Sequence, residues 1–434
     1  MNRSINFLKR QPAGRLITLG FAAVILLGTF LLLLPVSVRP DTSVSFIDAL
    51  FTSTSAVCVT GLIAVDTYDT FTPFGQGVVA FLIQVGGLGV TSVGVGLILA
   101  VGKRVGMKGR ILAQEGLNVT GVKGIVRLVK SVLLLTLCFE AAGAVLSFAV
   151  FIQDYPLPRA IGTSIFHSIA AFNNSGFDVL GGLQNLIPYE SNILLNLTTC
   201  VLIFFGGIGF LVILDILRNR SFKKLSLHSK VVLTTSLALL AAGTLLLKAA
   251  EDMTWLSAFF HSVSARTAGF STCSMGELTN AGMFTLILLM FIGASPGSTG
   301  GGIKTSTFFV LIQSVRSLVT KKNFEAFRRS IPVDRITRAY VIALLSVLVV
   351  CISTLLLCIL EPDLDFVQIL FEAVSAFGTV GLSAGVTPNL CAASKFVIVL
   401  TMFVGRLGAF TLFSMWVDRP APTAHYVEES ISIG

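Results

Sequence analysis

Charge is what this 434-residue chain has least of. Only 12% of its residues are Asp, Glu, Lys or Arg while 54% are hydrophobic, and the mean hydropathy is +0.88, so a water-soluble domain would have nowhere to place its apolar surface. Histidine is scarce too. The four present, His167, His228, His261 and His425, form no HExxH or comparable cluster, which speaks against a membrane-embedded enzyme. The seven cysteines, Cys58, Cys138, Cys200, Cys273, Cys351, Cys358 and Cys391, include no CxxC pair. Most fall in apolar stretches, so neither a zinc site nor a disulfide framework is indicated, and they read as small core residues.

What the chain has in abundance is long apolar runs. They recur at 16–35, 76–101, 127–152, 189–217, 231–248, 281–317 (interrupted), 337–360 and 393–417, each near the ~20 residues that a bilayer helix needs. Eight spanning helices are expected, with no soluble domain left over. The first run carries no small-residue cleavage site after it and is expected to stay in the mature chain.

The few charges are unevenly placed. Cations gather in three connections: Lys103, Arg104, Lys108, Arg110, Lys123, Arg127 and Lys130; then Arg218, Arg220, Lys223, Lys224 and Lys230; then Arg316, Lys321, Lys322, Arg328, Arg329, Arg335 and Arg338. The positive-inside rule puts these connections in the cytoplasm, and Arg3, Lys9, Arg10 and Arg15 put the N-terminus there as well. The opposite connections carry Asp41, Asp66, Asp69, Asp154, Asp178, Glu190, Glu251, Asp252, Glu277, Glu361, Asp363 and Asp365, with few cations besides Arg39 and Arg159. An acidic outer mouth concentrates cations. The net charge of +9 is therefore a topology signal. It suits an acidic cytosolic partner or anionic lipid, and it does not argue for nucleic acid.

Four times the chain pairs a long apolar helix with a short amphipathic one, breaks at a small polar loop centred on glycine, and turns apolar again. The loops are Val57-Cys58-Val59-Thr60-Gly61-Leu62, Asn173-Asn174-Ser175-Gly176-Phe177, Arg266-Thr267-Ala268-Gly269-Phe270 and Gly378-Thr379-Val380-Gly381-Leu382. The short helices before them, Phe46 to Ala56, Ile161 to Ala171, Leu256 to Ala265 and Phe366 to Ala376, are too short to span. They must dip into the membrane and return, and their loops survive at that depth only where they line water or protein. The third loop is one residue shorter between Ala265 and Gly269, so its backbone path should differ. A second motif follows each loop: Gly86-Gly87-Leu88-Gly89, Gly206-Gly207-Ile208-Gly209, Gly293-Ala294-Ser295-Pro296 and Gly405-Arg406-Leu407-Gly408. Small residues there suit close helix packing, and Arg406, deep in an apolar run, is a functional candidate.

This pattern fits cation passage. A cation crossing a bilayer needs a replacement for its hydration shell, which backbone carbonyls in a ring supply. Glycine permits the positive φ and the close backbone approach such a ring requires. Four short helices with their partly negative C-termini aimed at one cavity add to the attraction.

The segments Ser55 to Leu62, Ala265 to Phe270 and Ser375 to Leu382 resemble the filter segments of the Ktr/Trk/HKT superfamily of potassium transporters, and the likeness covers essentially the whole chain. Since the sequence starts directly at the first repeat, it is most similar to the Ktr-type membrane subunit. The resemblance implies an all-α integral membrane fold with four repeats of spanning helix, pore helix and spanning helix in a pseudo-fourfold arrangement, bounded at 1–101, 102–217, 218–320 and 321–434. It implies a potassium filter formed by Val59, Thr60, Gly61, Asn174, Ser175, Gly176, Thr267, Ala268, Gly269, Thr379, Val380 and Gly381, with K+ at the four glycines. It also implies a gate in the broken sixth helix, formed by Gly293, Pro296, Gly297, Gly300, Gly301, Gly302 and Lys304 together with Arg406, which matches the family's arginine beneath the filter. A homodimer resting on a cytosolic ring of nucleotide-binding RCK subunits, and a tail at 431–434 near the dimer interface, belong to the same expectation. Only the fourth loop reads Thr-Val-Gly, so potassium preference with some sodium passage is expected.

The glycine-rich break also mimics a phosphate loop, but Ile303 separates Gly302 from Lys304 and a helix precedes it, so nucleotide binding is rejected. Arg266 and Glu372 are expected to pair behind the filter, since charges in membrane interiors usually pair. His167 and His261 share one pore-helix position and should bond locally, as should Glu140. The rival to a gated pore is a carrier that couples K+ obligatorily to Na+ or H+, with Glu140 or Asp215 as the coupling site and Na+ as co-ion or activator.

Overall fold

Large apolar side chains face outward along the longest helices, among them Leu27, Phe30, Leu134, Val145, Leu245 and Leu344. Water would penalise that surface, whereas lipid tails match it. The computed structural model describes residues 13–101, 105–117, 121, 123–321 and 323–414. Arg3, Lys9, Arg10, Lys103, Arg104, Lys322, His425 and the tail at 431–434 lie outside the described residues.

The first repeat comprises α1 (Ala13–Leu32), α2 (Phe46–Val57), α3 (Pro73–Leu88) and α4 (Val90–Ala100), followed by α5 (Met107–Gly116). The second has α6 (Ile125–Phe151), α7 (Leu157–Phe172), α8 (Ile193–Ile208) and α9 (Phe210–Asn219). The third has α10 (Leu227–Ala250), α11 (Trp255–Ser264), α12 (Asn280–Phe291) and α13 (Thr305–Thr320). A two-residue hairpin pairing Glu325–Ala326 with Arg329–Ser330 leads to the fourth, with α14 (Val333–Leu360), α15 (Phe366–Gly378), α16 (Ala392–Leu407) and α17 (Ala409–Ser414).

The apolar runs do not all form single unbroken helices. Among the described residues, four single helices are long and apolar enough to cross a membrane, Gly14–Leu32, Ile125–Phe151, Leu227–Ala250 and Val333–Leu360, and two more qualify only as bent pairs. The runs at 76–101 and 189–217 turn through 102° and 96° where α3 meets α4 and α8 meets α9. The cause is the last glycine of each second motif. Gly89 and Gly209 sit at φ 82° and 95°, which breaks the helical ladder, and Gly408 does the same at φ 85° between α16 and α17. These motifs are thus bend points as well as packing surfaces.

The second short helix starts at Leu157, not Ile161, and runs 16 residues, because Pro158 lies in its first turn, where a missing N–H costs nothing. Of the cysteines, only Cys58 and Cys200 are buried, while Cys138, Cys351 and Cys391 are exposed on the chain, so most are not core residues.

The short helices are held against the long ones by one device used three times. Gly28, Gly143 and Gly243 leave room for Ser53, Ser168 and Ser262. Their hydroxyls donate to Ile25 O at 2.7 Å, Glu140 O at 2.7 Å and Leu240 O at 2.9 Å. Each bond satisfies a polar group in an apolar layer and fixes the depth of the short helix. The fourth repeat has Ala373 at the matching place. Lys395 and Asp48 pair at 2.8 Å between the first turns of α16 and α2, joining the end of the chain to its beginning.

Candidate functional site

The short helices end alike, because Val59, Asn174, Thr267 and Thr379 all adopt positive φ (56°, 59°, 80° and 50°) two residues before the loop glycine. In three repeats the turn closes by a bond from the residue before the glycine to a carbonyl five residues back: Thr60 N to Ser55 O, Ser175 N to Ala170 O and Val380 N to Ser375 O, at 2.8–2.9 Å. The third loop, being one residue shorter, closes instead by Ala268 N to Ser264 O at 2.8 Å, four residues back. The missing residue is absorbed in the helix cap, and Gly269 still reaches the common level.

That level is a closed ring. A Cβ on Gly61 would overlap Ser175 O and touch Gly176; on Gly176 it would overlap Ala268 O and touch Gly269; on Gly269, Val380 O and Gly381; on Gly381, Thr60 O and Gly61. All four glycines have φ between 63° and 97°. Both constraints exclude a side chain. Around the ring, the buried hydroxyls of Thr60, Ser175 and Thr379 have no protein hydrogen-bond partner.

Behind the ring, the second motif supports it. Cβ atoms on Gly86, Gly206 and Gly405 would overlap Val57 O, Phe172 O and Phe377 O, the carbonyls at the short-helix ends. Helix and loop therefore meet backbone to backbone.

The interruption of the sixth run occupies 292–304, between α12 and α13. Its backbone is tied to the second repeat through Ser295 N to Gly207 O at 3.0 Å, Thr299 N to Gly206 O at 3.2 Å and Phe210 N to Gly297 O at 3.0 Å. Thr299 Oγ1 lies 3.3 Å from the Asn174 carboxamide, whose nitrogen is best turned toward Phe172 O and Ile203 O. A Cβ on Gly300 would overlap the Thr267 side chain, and one on Gly301 the Thr379 side chain. The segment thus lies directly against three ring loops. Lys304 Nζ donates to Gly300 O at 2.7 Å, and the Arg406 guanidinium donates to Thr299 O and to Gly86 O. Arg406 and the 292–304 segment are brought together, with the arginine bridging it to the first repeat.

Other polar residues fall differently. The expected Arg266–Glu372 pair is absent. Glu372 is engaged by Ser383 Oγ at 2.6 Å, Ala384 N at 2.9 Å and Thr387 Oγ1 at 2.7 Å. Arg266 is 7% exposed and its Nε lacks a hydrogen-bond partner. The two residues sit at different depths, Glu372 within its helix and Arg266 past the end of another. Glu372 in fact shares the short-helix position of His167 and His261. His261 bonds Ser257 O one turn back at 2.8 Å, as expected, whereas His167 reaches across to Thr199 Oγ1 of α8 at 2.9 Å. Glu140 accepts from Asn173 Nδ2 at 3.0 Å, and Asp215 is taken up by Asn219, Ser226 and Ser229. Arg39 and Arg159 stack on the Tyr68 ring at 4.6 and 4.1 Å, which keeps both cations on an aromatic face.

Sequence reasoning missed the Gly–Ser seats of the short helices, whose signal is a serine at one register in three repeats, and it missed Asn185, which donates to Gly176 O at 3.0 Å. Nothing in an isolated asparagine marks that contact.

A family model described as a TrkH cation transport protein matches residues 20–251 and 225–422. The chain is 38% identical to the Ktr system potassium uptake protein B of Bacillus subtilis, covering 97% of this chain and 96% of that one. It is 36% identical to the potassium/sodium uptake protein NtpJ of Enterococcus hirae, with 98% of each covered. It is also 36% identical to the Ktr system potassium uptake protein B of Vibrio alginolyticus, over 97% and 94%. The crystal structure of the potassium transporter TrkH from Vibrio parahaemolyticus superposes with a TM-score of 0.72 at 20% identity, covering 93% of this chain and 84% of that one, a likeness of fold.

Proposed function

The chain belongs to the TrkH family of cation transport proteins and is a multi-pass membrane transporter, not an enzyme; on that premise we propose that it is the ion-conducting subunit of a potassium uptake system, passing K+ inward through the glycine ring. The observation that carries this reading is the closed contact of Gly61, Gly176, Gly269 and Gly381, each barred from bearing a side chain by its neighbour's backbone. Partnerless buried hydroxyls at Thr60, Ser175 and Thr379 support a polar lumen there. The four repeats, bounded near residues 101, 217 and 320, form a pseudo-fourfold pore with eight membrane-crossing segments, two of them bent and one broken.

The 292–304 segment, with Lys304, is the gate on the cytoplasmic side of the filter, and Arg406 is its latch. Two cationic side chains below a cation filter oppose conduction until they move aside. The chain sits in the plasma membrane with both termini inside. It works as a homodimer on a cytosolic ring of nucleotide-binding regulatory subunits, for which the basic connections offer a docking surface. Sodium passes less readily than potassium.

Coupled symport is the second reading, favoured by the name of the Enterococcus relative, which includes sodium. Reconstitution with the regulatory subunit and measurement of the reversal potential across a potassium gradient separates the two. A gated pore reverses near the potassium equilibrium potential, displaced by sodium only as far as one permeability ratio dictates and not by pH; a fixed-stoichiometry carrier shifts with the sodium or proton gradient by an amount its coupling ratio sets.

A further inference from the structure

Asn185 stands in the outer connection after the second filter loop, at φ 50°, a conformation that asparagine tolerates better than most residues. Its amide nitrogen donates to Gly176 O at 3.0 Å, and its Oδ1 accepts from Leu186 N at 2.9 Å and Ser271 N at 3.1 Å. The two N–H donors on the oxygen side fix which way the amide points. Leu186 N also donates to Ser271 O at 3.1 Å, so one carboxamide ties the second filter loop to the segment that leaves the third. The connection is itself held by the first repeat, where Asp69 and Asp66 accept the N–H groups of Gly182 and Leu183 at 2.9 and 2.8 Å.

The other three ring glycines lie in loops pinned from behind by a pore-helix serine. Ser55 accepts the Gly61 N–H at 3.1 Å and donates to Leu62 O at 2.7 Å. Ser375 accepts the Gly381 N–H at 3.1 Å, and Ser264 donates to Phe270 O at 2.5 Å. The second repeat has Ala170 in that register and no hydroxyl to offer. Among the described residues, Gly176 is also the one ring glycine whose carbonyl receives a side-chain hydrogen bond.

We propose that Asn185 is a specificity-determining positioning residue, which holds Gly176 in the filter from the outside in place of the serine that the second repeat lacks. The proposal rests on the reading of the ring as a potassium filter. A carbonyl oxygen has two lone pairs, and the amide takes one while leaving the other for an ion. Freed of the amide, the loop gains the latitude to close around a smaller, more strongly hydrated cation, and discrimination against sodium falls.

The test uses the full chain with its regulatory partner in vesicles, reading the sodium-to-potassium permeability ratio from reversal potentials. Asn185→Ala raises the ratio about fivefold, what the loss of one ordinary hydrogen bond allows. Asn185→Asp, which keeps the acceptor for Leu186 and Ser271 but lacks the donor, raises it too, and it decides the matter should Asn185→Ala fail to fold. Adding Ala170→Ser to Asn185→Ala brings the ratio back toward wild type, because a hydroxyl then stands behind Gly176; a merely structural loop contact would not be rescued from inside the pore helix. Unchanged selectivity in both Asn185 variants, or no rescue by Ala170→Ser, overturns the assignment. Gly61→Ser is run in parallel. If it too leaves the ratio unchanged, the filter reading fails; if it shifts the ratio while both Asn185 variants do not, only the role of Asn185 falls.

Discussion

The ring loops and the 292–304 segment lie against each other yet are built on opposite plans. Each ring loop is a near copy of the others, and its turn is closed by bonds to its own short helix, as Thr60 N to Ser55 O and Val380 N to Ser375 O do. The 292–304 segment occurs once, and much of its anchoring comes from elsewhere: Gly206, Gly207 and Phe210 of the second repeat, and Arg406 of the fourth. A part whose support is local stays put when neighbours shift. A part supported by its neighbours moves when they do. Permanence suits a filter and releasability suits a gate, and the difference follows from where the backbone groups find partners, since each must find one.

Breaking the rigid side should cost most. Gly206→Ala puts a Cβ into Phe172 O, a backbone atom at the end of a buried helix. The expected result is about 3 kcal/mol or more of lost stability, since overpacking against backbone has no flexible side chain to absorb it. Thermal unfolding in detergent followed by size-exclusion retention measures it, and a variant as stable as wild type would show that the contact is soft. Removing the movable side should instead leave the fold intact. Deletion of Gly297 to Gly302 raises basal potassium flux into vesicles in the absence of the regulatory subunit; a deletion variant that folds and remains closed would end the gate assignment.

Smaller changes sharpen the same contrast. Arg406→Gln loses the charge and the bridge between Thr299 O and Gly86 O. Two charge-assisted hydrogen bonds are each worth roughly 1.5–3 kcal/mol, so basal flux should rise by about tenfold or more with ion selectivity unchanged. A shift in selectivity without a rise in flux would move Arg406 from latch to filter. Ser262→Ala removes one seat of a short helix and should cost about 1 kcal/mol, within the range of interhelical bonds in membranes. Equal loss from Ser53→Ala and Ser168→Ala would confirm that the three seats are equivalent.

The glycine loops, the short helices and the interruption near 293–305 were legible in the sequence because each departs from an otherwise apolar background in a fixed order. The bends at Gly89 and Gly209 were not. A glycine in an apolar run is equally compatible with tight packing, and only its φ separates the two outcomes. The Arg266–Glu372 expectation failed because opposite charges near one site leave helix depth unspecified, and Glu372 found its partners in Ser383, Ala384 and Thr387 nearby in the chain. Contacts between repeats, such as Asn185 with Gly176 and Ser271, or Thr299 with Asn174, join loops that no periodicity registers.

Whether the glycine ring selects potassium is read most directly from the reversal potential of the reconstituted wild-type chain and Gly61→Ser under opposing potassium and sodium gradients. A side chain at residue 61 must displace Ser175 O and so widen or skew the ring. Selection by the ring gives a wild-type potential near the potassium equilibrium value and a Gly61→Ser potential shifted toward that of sodium, with both proteins folded. Identical potentials in the two would contradict it.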